Sequence, residues 1–219
     1  MRLKASVLAA AIAYATMAAG SATIVGAQDT DLPAAIALGP GSVLWIEGKS
    51  NLHDFENRST AMTVKFARRP GTSVPKTAEE LEAFLRASGV RSLDVEVPVQ
   101  SLRSSKASLD KNLWKDLRAD SFPAIRFHLS HYTVDSKASK SDTIAIRADG
   151  NLTVAGRARP VSLAGRAHRA DRGVWLEGAQ TLRMTDFGIK PRTMMLGTLR
   201  VKDELSVHYK LLLVPGGSK

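Results

Sequence analysis

Apolar and polar residues alternate along most of the chain. In the segment around Phe127, the apolar residues Ile125, Phe127 and Leu129 are separated by Arg126 and His128. The same alternation returns in the segments STAMTVKFARR, SLDVEVPVQSL, DTIAIRADGNLTV, PVSLAGRAHRA, GVWLEGAQTLRM and TLRVKDELSVHYKLLLV. Because successive side chains of a strand point to opposite faces, this period predicts an antiparallel sheet with one buried face, built from about eight strands.

Two segments have helical spacing instead. KTAEELEAFLRASG places Thr77 three residues before Glu80, which is the pattern of a capping box, and Gly89 follows at a position typical of a helix end. SLDKNLWKDLRAD places leucines around Trp114 at helical intervals, and Pro123 prevents a longer helix. The sequence therefore predicts two short helices beside the strands.

The beginning of the chain has the features of a secretory signal. Arg2 and Lys4 precede an alanine-rich run, and the small residues that end at Ala27 fit a cleavage site. The run is short and rich in alanine for a bilayer-spanning helix, which needs roughly 20 apolar residues. We therefore predict a signal over residues 1–27, one domain over residues 28–219, and a periplasmic or secreted protein.

Composition excludes several kinds of chemistry and of partner. The chain has no cysteine, so disulfides, thiolate metal sites and cysteine nucleophiles are excluded. The formal net charge is +10, but the basic residues are scattered along alternating strands and aromatic residues make up only 5%. This pattern indicates a basic surface and not a nucleic-acid site, and it leaves weak contact with an anionic membrane surface open. The oligomeric state, a dimer included, also stays open.

Closing such a sheet into a barrel would remove its exposed edges. A barrel of about eight strands is either filled by its own side chains or wide enough for one small ligand. The expected inward face is almost entirely aliphatic, and small residues such as Gly48, Gly150 and Gly178 lie near it. Small inward residues suit a cavity, but they also mark bends and bulges, so these residues alone leave both interpretations open.

Four motifs in a fixed order resemble those of the YceI-like family of exported lipid- or polyisoprenoid-binding proteins. They are SNLHDFEN from Ser50, VPVQSL followed by the FPAIRF strand, GNLTVAGRARPV from Gly150, and DFGI from Asp186. The chain departs from the family in the helix that follows Thr77, which resembles an insertion, and in Asn57, where a glycine is usual.

The resemblance implies a lipocalin-like antiparallel β-barrel whose interior holds an isoprenoid or a similar apolar chain. Residues on the inward face would then line the ligand: Met62, Val64, Phe66, Ile125, Phe127, Leu129, Leu176, Met184, Val207 and Tyr209. His53 and His131 are candidates for contact with a head group. We expect the helix around Trp114 to act as a lid over one end of the barrel.

The expected function is that of an exported carrier or sequestering protein whose partner is an apolar-tailed amphiphile, such as a polyisoprenoid, a quinone-like molecule or an acyl lipid. The alternative is a barrel packed shut, acting as a structural or stress-response interaction module without ligand. No HExxH or GxSxG motif is present, so we predict neither an enzyme, nor a metal site, nor a cofactor other than a bound lipid.

Overall fold

The computed structural model describes residues 32–194 and 198–216. The predicted signal over residues 1–27 lies outside the described residues, so its cleavage remains a prediction. No described helix is long and apolar enough to cross a membrane.

Twelve strands and two α-helices make up this part of the chain. The strands are β1 (Leu32–Pro33), β2 (Ile36–Leu38), β3 (Val43–Ser50), β4 (Asp54–Ser59), β5 (Thr63–Arg68), β6 (Val90–Pro98), β7 (Ala124–Asp135), β8 (Thr143–Val154), β9 (Arg157–Ala170), β10 (Gly173–Arg183), β11 (Thr193–Met194) and β12 (Leu199–Pro215). The helices are α1 (Ala78–Arg86) and α2 (Ala107–Asp116), and two 3₁₀ turns cover Val99–Ser101 and Met184–Phe187.

The strands form one antiparallel sheet in the order β1-β5-β6-β7-β8-β9-β10-β12-β3-β4, and β2 and β11 also pair with β12. From β5 to β10 each strand pairs with the next one in the chain, as expected of a meander. The sheet curls because β4 is bridged to the segment before α2 through Arg58 and Arg103, and because β1 and β2 connect β5 to β12. The predicted lipocalin-like fold is confirmed. Nine of the twelve strands have six or more residues, close to the predicted number of about eight, and the other three have only two or three residues.

Helix α1 forms as the capping box predicts. The Thr77 hydroxyl accepts a hydrogen bond from the Glu80 amide at 3.1 Å, and the Glu80 carboxylate accepts one at 2.7 Å from the amide of Lys76, one residue before the N-cap position that a capping box uses. The helix ends one residue earlier than the sequence suggested. Ser88 takes the left-handed conformation with φ of 54°, and the Gly89 amide donates to the Phe84 carbonyl at 2.8 Å.

Two clusters of buried side chains divide the interior. The first core cluster contains the buried face of α1, namely Leu81, Phe84 and Leu85, packed against Leu129 and its strand neighbours. The second core cluster lies around α2 and the two 3₁₀ turns, and it includes Leu117 and Phe187. Each helix therefore packs against a different part of the sheet, and the part under α2 borders an apolar cavity.

Candidate ligand cavity

A cavity of about 220 Å³ lies between α2 and the strands of the second core cluster. An engineered apolar cavity of about 150 Å³ is enough to bind benzene, so this space accommodates a larger apolar group. Its apolar lining consists of Leu44, Ile46, Phe55, Val97, Leu109, Leu113, Leu117, Ile125, Leu152, Val154, Leu182, Met184, Phe187, Ile189, Val201, Leu205 and Val207.

Strand alternation explains why these side chains converge. Ile46 of β3 and Val207 of β12 are cross-strand partners, and both line the cavity. Their neighbours Trp45 and His208 are also partners, but on the outer face, where the two rings stack with centroids 4.9 Å apart. The two-residue period of the sequence is therefore visible as one apolar wall and one polar exterior.

Helix α2 covers the cavity with one of its stripes. Leu109, Leu113 and Leu117 are spaced four residues apart, so they lie on one side of the helix, and all three line the cavity. Trp114 anchors the helix from beside this stripe, since its indole N–H donates to the Leu102 carbonyl at 3.2 Å. We call α2 the lid helix.

The lid helix is fastened near its start by a buried carboxylate. Asp110 is 3% exposed, and its Oδ1 accepts hydrogen bonds from the amide and the hydroxyl of Ser104, both at 2.7 Å. Asn57, which lines the cavity, contributes a longer contact of 3.4 Å from its side-chain amide to the same oxygen. The departure from the family pattern at Asn57 thus lies at a contact between the barrel and the lid helix.

At its other end, the lid helix is held by Arg192. The Arg192 guanidinium forms an ion pair with Asp116 and donates a hydrogen bond to the Asn112 carbonyl at 3.1 Å. The 3₁₀ turn before Arg192 is itself fixed to β12, because the hydroxyl of Thr185 donates to Asp203 at 2.6 Å and its amide donates at 2.9 Å. These hydrogen bonds lower the pKa of the Asp203 carboxyl.

Eight polar side chains also line the cavity, and all but the buried Asn57 are exposed or half-buried. We call this set the rim: Ser50, His53, Asn57, Asn112, Asp116, Arg183, Lys190 and Arg192. The arrangement of an apolar wall with a polar rim suits a molecule with an apolar tail and a polar head. Among the described residues, no group of three His, Asp or Glu side chains is placed to hold a metal ion.

The residues predicted to line the ligand fall into two groups in the structure, one at the cavity and one at the first core cluster. Ile125, Met184 and Val207 line the cavity, and so does His53. Leu129 belongs instead to the first core cluster, and these residues pack against that cluster: Met62, Phe66, Phe127, Leu176 and Tyr209. Val64 is half-buried opposite Val95 and does not line the cavity.

Aromatic rings occupy the space that glycines leave in the sheet. A Cβ atom on Gly150 would lie 2.8 Å from the ring of Phe127, and one on Gly178 would lie 2.4 Å from the hydroxyl of Tyr209. The Tyr209 hydroxyl donates to the Ala164 carbonyl at 3.2 Å, and burial raises the pKa of this phenol to about 12. These two glycines accommodate rings and do not enlarge the cavity.

The position of His131 differs from the predicted one. A bulge in β7 between Leu129 and His131 shifts the alternation by one residue, so that Tyr132 is buried and His131 is exposed. The His131 ring lies 3.1 Å from the Asp149 carboxylate on the outer side. His131 therefore does not continue the inward face that begins at Ile125.

Sequence reasoning placed several cavity residues on inward faces without selecting them as ligand contacts, among them Leu152, Leu182 and Leu205. The alternation indicated that these residues lie on the inward face of the sheet, but it did not indicate how far they lie from the lid helix. The loop residues Ile189 and Arg192 carried no periodic signal at all. Their neighbourhood was marked only by the DFGI motif.

The fold and the cavity together define a lipocalin-like, curled half-barrel with an apolar space beneath the lid helix. The sequence model that describes the family of YceI-like domains matches residues 48–213. The chain therefore belongs to this family.

Solved structures share the fold at low sequence identity. A polyisoprenoid-binding domain from Saccharophagus degradans, implicated in plant cell wall breakdown, superposes with a TM-score of 0.59 at 8% identity, covering 83% of this chain and 98% of that one. BcnA from Burkholderia cenocepacia superposes with a TM-score of 0.58 at 15% identity, covering 79% of this chain and 96% of that one. No match was found among curated proteins.

Proposed function

We propose that this protein is an exported carrier or sequestering protein for an amphiphile with an isoprenoid, quinone-like or acyl tail. The observation that carries the proposal is the apolar cavity under the lid helix, which is lined by aliphatic side chains from six strands and from the helix itself. The family membership and the polyisoprenoid-binding neighbour support it.

The magnitude of apolar burial is sufficient for such a role. Burial of ten methylene equivalents would give on the order of 8 kcal/mol before the costs of association, at about 0.8 kcal/mol for each group. A tail left in water would aggregate, whereas a tail in this cavity is shielded by Leu113 and its neighbours on the lid helix. We propose binding without catalysis, since the wall of the cavity is apolar.

The alternative, a barrel packed shut, describes only one part of the molecule. The first core cluster is filled by α1 and by aromatic rings, as that alternative requires. The second core cluster surrounds the cavity, which the alternative does not explain.

Ligand binding is tested with two tryptophan substitutions on adjacent residues of β7. Ile125→Trp should block the cavity, whereas Arg126→Trp adds the same ring on the outer face, where Arg126 pairs with Glu96 at 2.9 Å. We expect native mass spectrometry to show a lipid on the wild-type protein and on Arg126→Trp, and little on Ile125→Trp. After delipidation, titration with a polyprenyl quinone should give the same order. Equal binding by all three proteins would contradict the cavity as the binding site.

Export and membrane contact belong to the same proposal. The mature protein should begin near Gln28, which N-terminal sequencing of a periplasmic fraction would show.

Leu52, at the tip of the β3–β4 turn, is 56% exposed and lies between the rim residues Ser50 and His53. We propose that this tip makes weak contact with an anionic membrane, so Leu52→Ser should reduce co-sedimentation with vesicles of phosphatidylcholine and phosphatidylglycerol. Unchanged co-sedimentation would contradict this contact.

A further inference from the structure

We infer that the ligand of this cavity carries an anionic head group, a phosphate or a carboxylate, and that Lys190 and His53 bind it. This inference rests on the proposed function, because it assigns the polar end of the molecule whose tail the cavity holds. It follows from how the charged side chains of the rim are paired.

The rim is basic, and its arginines are already engaged. The four basic rim residues are His53, Arg183, Lys190 and Arg192, and Asp116 is the single carboxylate among the residues that line the cavity. Arg192 is paired with Asp116, and Arg183 lies 3.5 Å from Glu204. Within residues 32–194 and 198–216, the side chains of Lys190 and His53 have neither an ion pair nor a hydrogen bond.

The ring of His53 is not needed to hold its own turn. The turn is closed by the backbone of His53 and by Ser50: the Ser50 hydroxyl donates to the His53 carbonyl at 2.7 Å, and the Ser50 amide donates to the same carbonyl at 3.2 Å. The His53 amide in turn lies 3.1 Å from the Ser50 hydroxyl oxygen. The backbone is thereby fixed while the imidazole, which lines the cavity, remains available to a ligand.

Lys190 is held in place from both sides. The Ile189 side chain before it is 9% exposed and its amide donates to the Met184 carbonyl at 3.0 Å. Arg192, two residues further on, is attached to the lid helix. The Lys190 ammonium therefore extends from an anchored segment at the edge of the cavity.

The physical consequence is a preference for negative charge. Hydrogen bonds between an ionised donor and an ionised acceptor are about twice as strong as neutral ones, and an apolar wall weakens the screening by water. A neutral head, such as an alcohol, would leave Lys190 without a counter-charge. A phosphate or carboxylate placed at the rim would meet Lys190 and His53 while its tail entered the wall beside Ile125 and Leu113.

The test compares two probes that share one tail, farnesol and farnesyl phosphate, by calorimetric titration of delipidated protein. We expect farnesyl phosphate to bind the wild-type protein at least about tenfold more tightly, as charge-assisted contacts of this kind imply. The ratio of the two affinities should approach one in Lys190→Gln and fall in His53→Gln. Lys65→Gln, which removes an exposed cation of β5 outside the cavity, should keep the wild-type ratio. High salt should reduce the difference in affinity between farnesyl phosphate and farnesol, because it screens the charges.

The outcomes separate this inference from the carrier proposal. Equal affinities for farnesol and farnesyl phosphate would overturn the anionic head group and leave the carrier intact. A preference that persists in both Lys190→Gln and His53→Gln would overturn the assignment of these residues. If inorganic phosphate binds as tightly as farnesyl phosphate, the rim is a site for the free anion and the inference fails. Failure of both farnesyl probes and of a polyprenyl quinone to bind would overturn the carrier proposal and this inference with it.

Discussion

The guanidinium of Arg192 and the carboxylate of Asp116 form an ion pair that joins the loop after the second 3₁₀ turn to the end of the lid helix. The residues are 76 positions apart in the chain, and their side chains are 28% and 27% exposed. Because Arg192 also bonds the Asn112 carbonyl, a single side chain holds the last turn of the helix against the rim. We therefore expect any opening of the cavity at this end to break this contact.

Removal of the Arg192 contact should increase local opening of the lid helix clearly, while it lowers the unfolding free energy of the whole protein only modestly. We expect Arg192→Gln to lose roughly 1 kcal/mol of unfolding free energy, at the upper end for a pair that is partly exposed. Amide exchange over residues 107–117 should rise, and a bound lipid should dissociate faster. Asp116→Asn should have the same effect. The double variant should differ little from either single variant, because both remove the same contact. Unchanged exchange in this segment would show that the lid helix does not depend on the pair.

A glycine of β10 should be intolerant of even one methyl group. A Cβ atom on Gly178 would lie 2.4 Å from the Tyr209 hydroxyl and 2.6 Å from the Ala164 carbonyl oxygen, so Gly178→Ala must displace a ring or a strand. We expect a loss of about 1–3 kcal/mol, the range for overpacking. Ala179→Ser is a matched control, since Ala179 is exposed on the same strand. Urea unfolding measures both, and equal stability of the two variants would contradict the close packing around Tyr209.

How far the sequence predicted this structure is clearest at Ile125 and Phe127. The alternation placed both on the inward face, and this is correct. It gave no information on which end of the barrel each residue occupies, because that depends on the distant elements that pack there. Ile125 faces the cavity under the lid helix, whereas Phe127 packs against the first core cluster, to which α1 contributes.

Irregular structure limited the prediction elsewhere. The capping box at Thr77 and Glu80 is a local signal, and the helix that it predicted is present. The bulge beside His131 inserts one residue into β7 without a glycine or proline to mark it, so the two-residue period was extended too far. The contact between Arg192 and Asp116 joins segments that no local pattern relates.

Two tyrosines, the buried Tyr132 and the half-buried Tyr209, should titrate late and make the protein sensitive to alkali. Burial raises the pKa of Tyr132 and the pKa of Tyr209 to about 12, against about 10 in an unfolded chain. Since the unfolded state releases these protons first, the stabilisation is fully present below about pH 10 and is lost as the pH rises toward 12. Tyrosinate absorbance of the protein without residues 1–27 should show this delay relative to protein in urea. Tyr132→Phe and Tyr209→Phe assign the two transitions, and ionisation of either tyrosine near pH 10 in the folded protein would contradict its raised pKa.

The division of the interior into a filled part and a cavity predicts opposite behaviour for two residues of β7. Phe127→Ala removes a ring that packs against the first core cluster, so we expect a loss of about 3 kcal/mol in the delipidated protein, at the low end for a phenylalanine because the ring is only partly buried. Ile125→Ala removes atoms from the cavity wall and should cost less in the absence of ligand. A polyprenyl quinone stabilises the protein by RT ln(1 + [L]/Kd), so this increment should shrink in Ile125→Ala, whose ligand contacts are reduced, and persist in Phe127→Ala. Urea unfolding of the wild-type protein and both variants, with and without the quinone, measures all four effects. If the quinone increment were lost in Phe127→Ala and kept in Ile125→Ala, the ligand would lie among the residues of the first core cluster, and the cavity under the lid helix would not be its site.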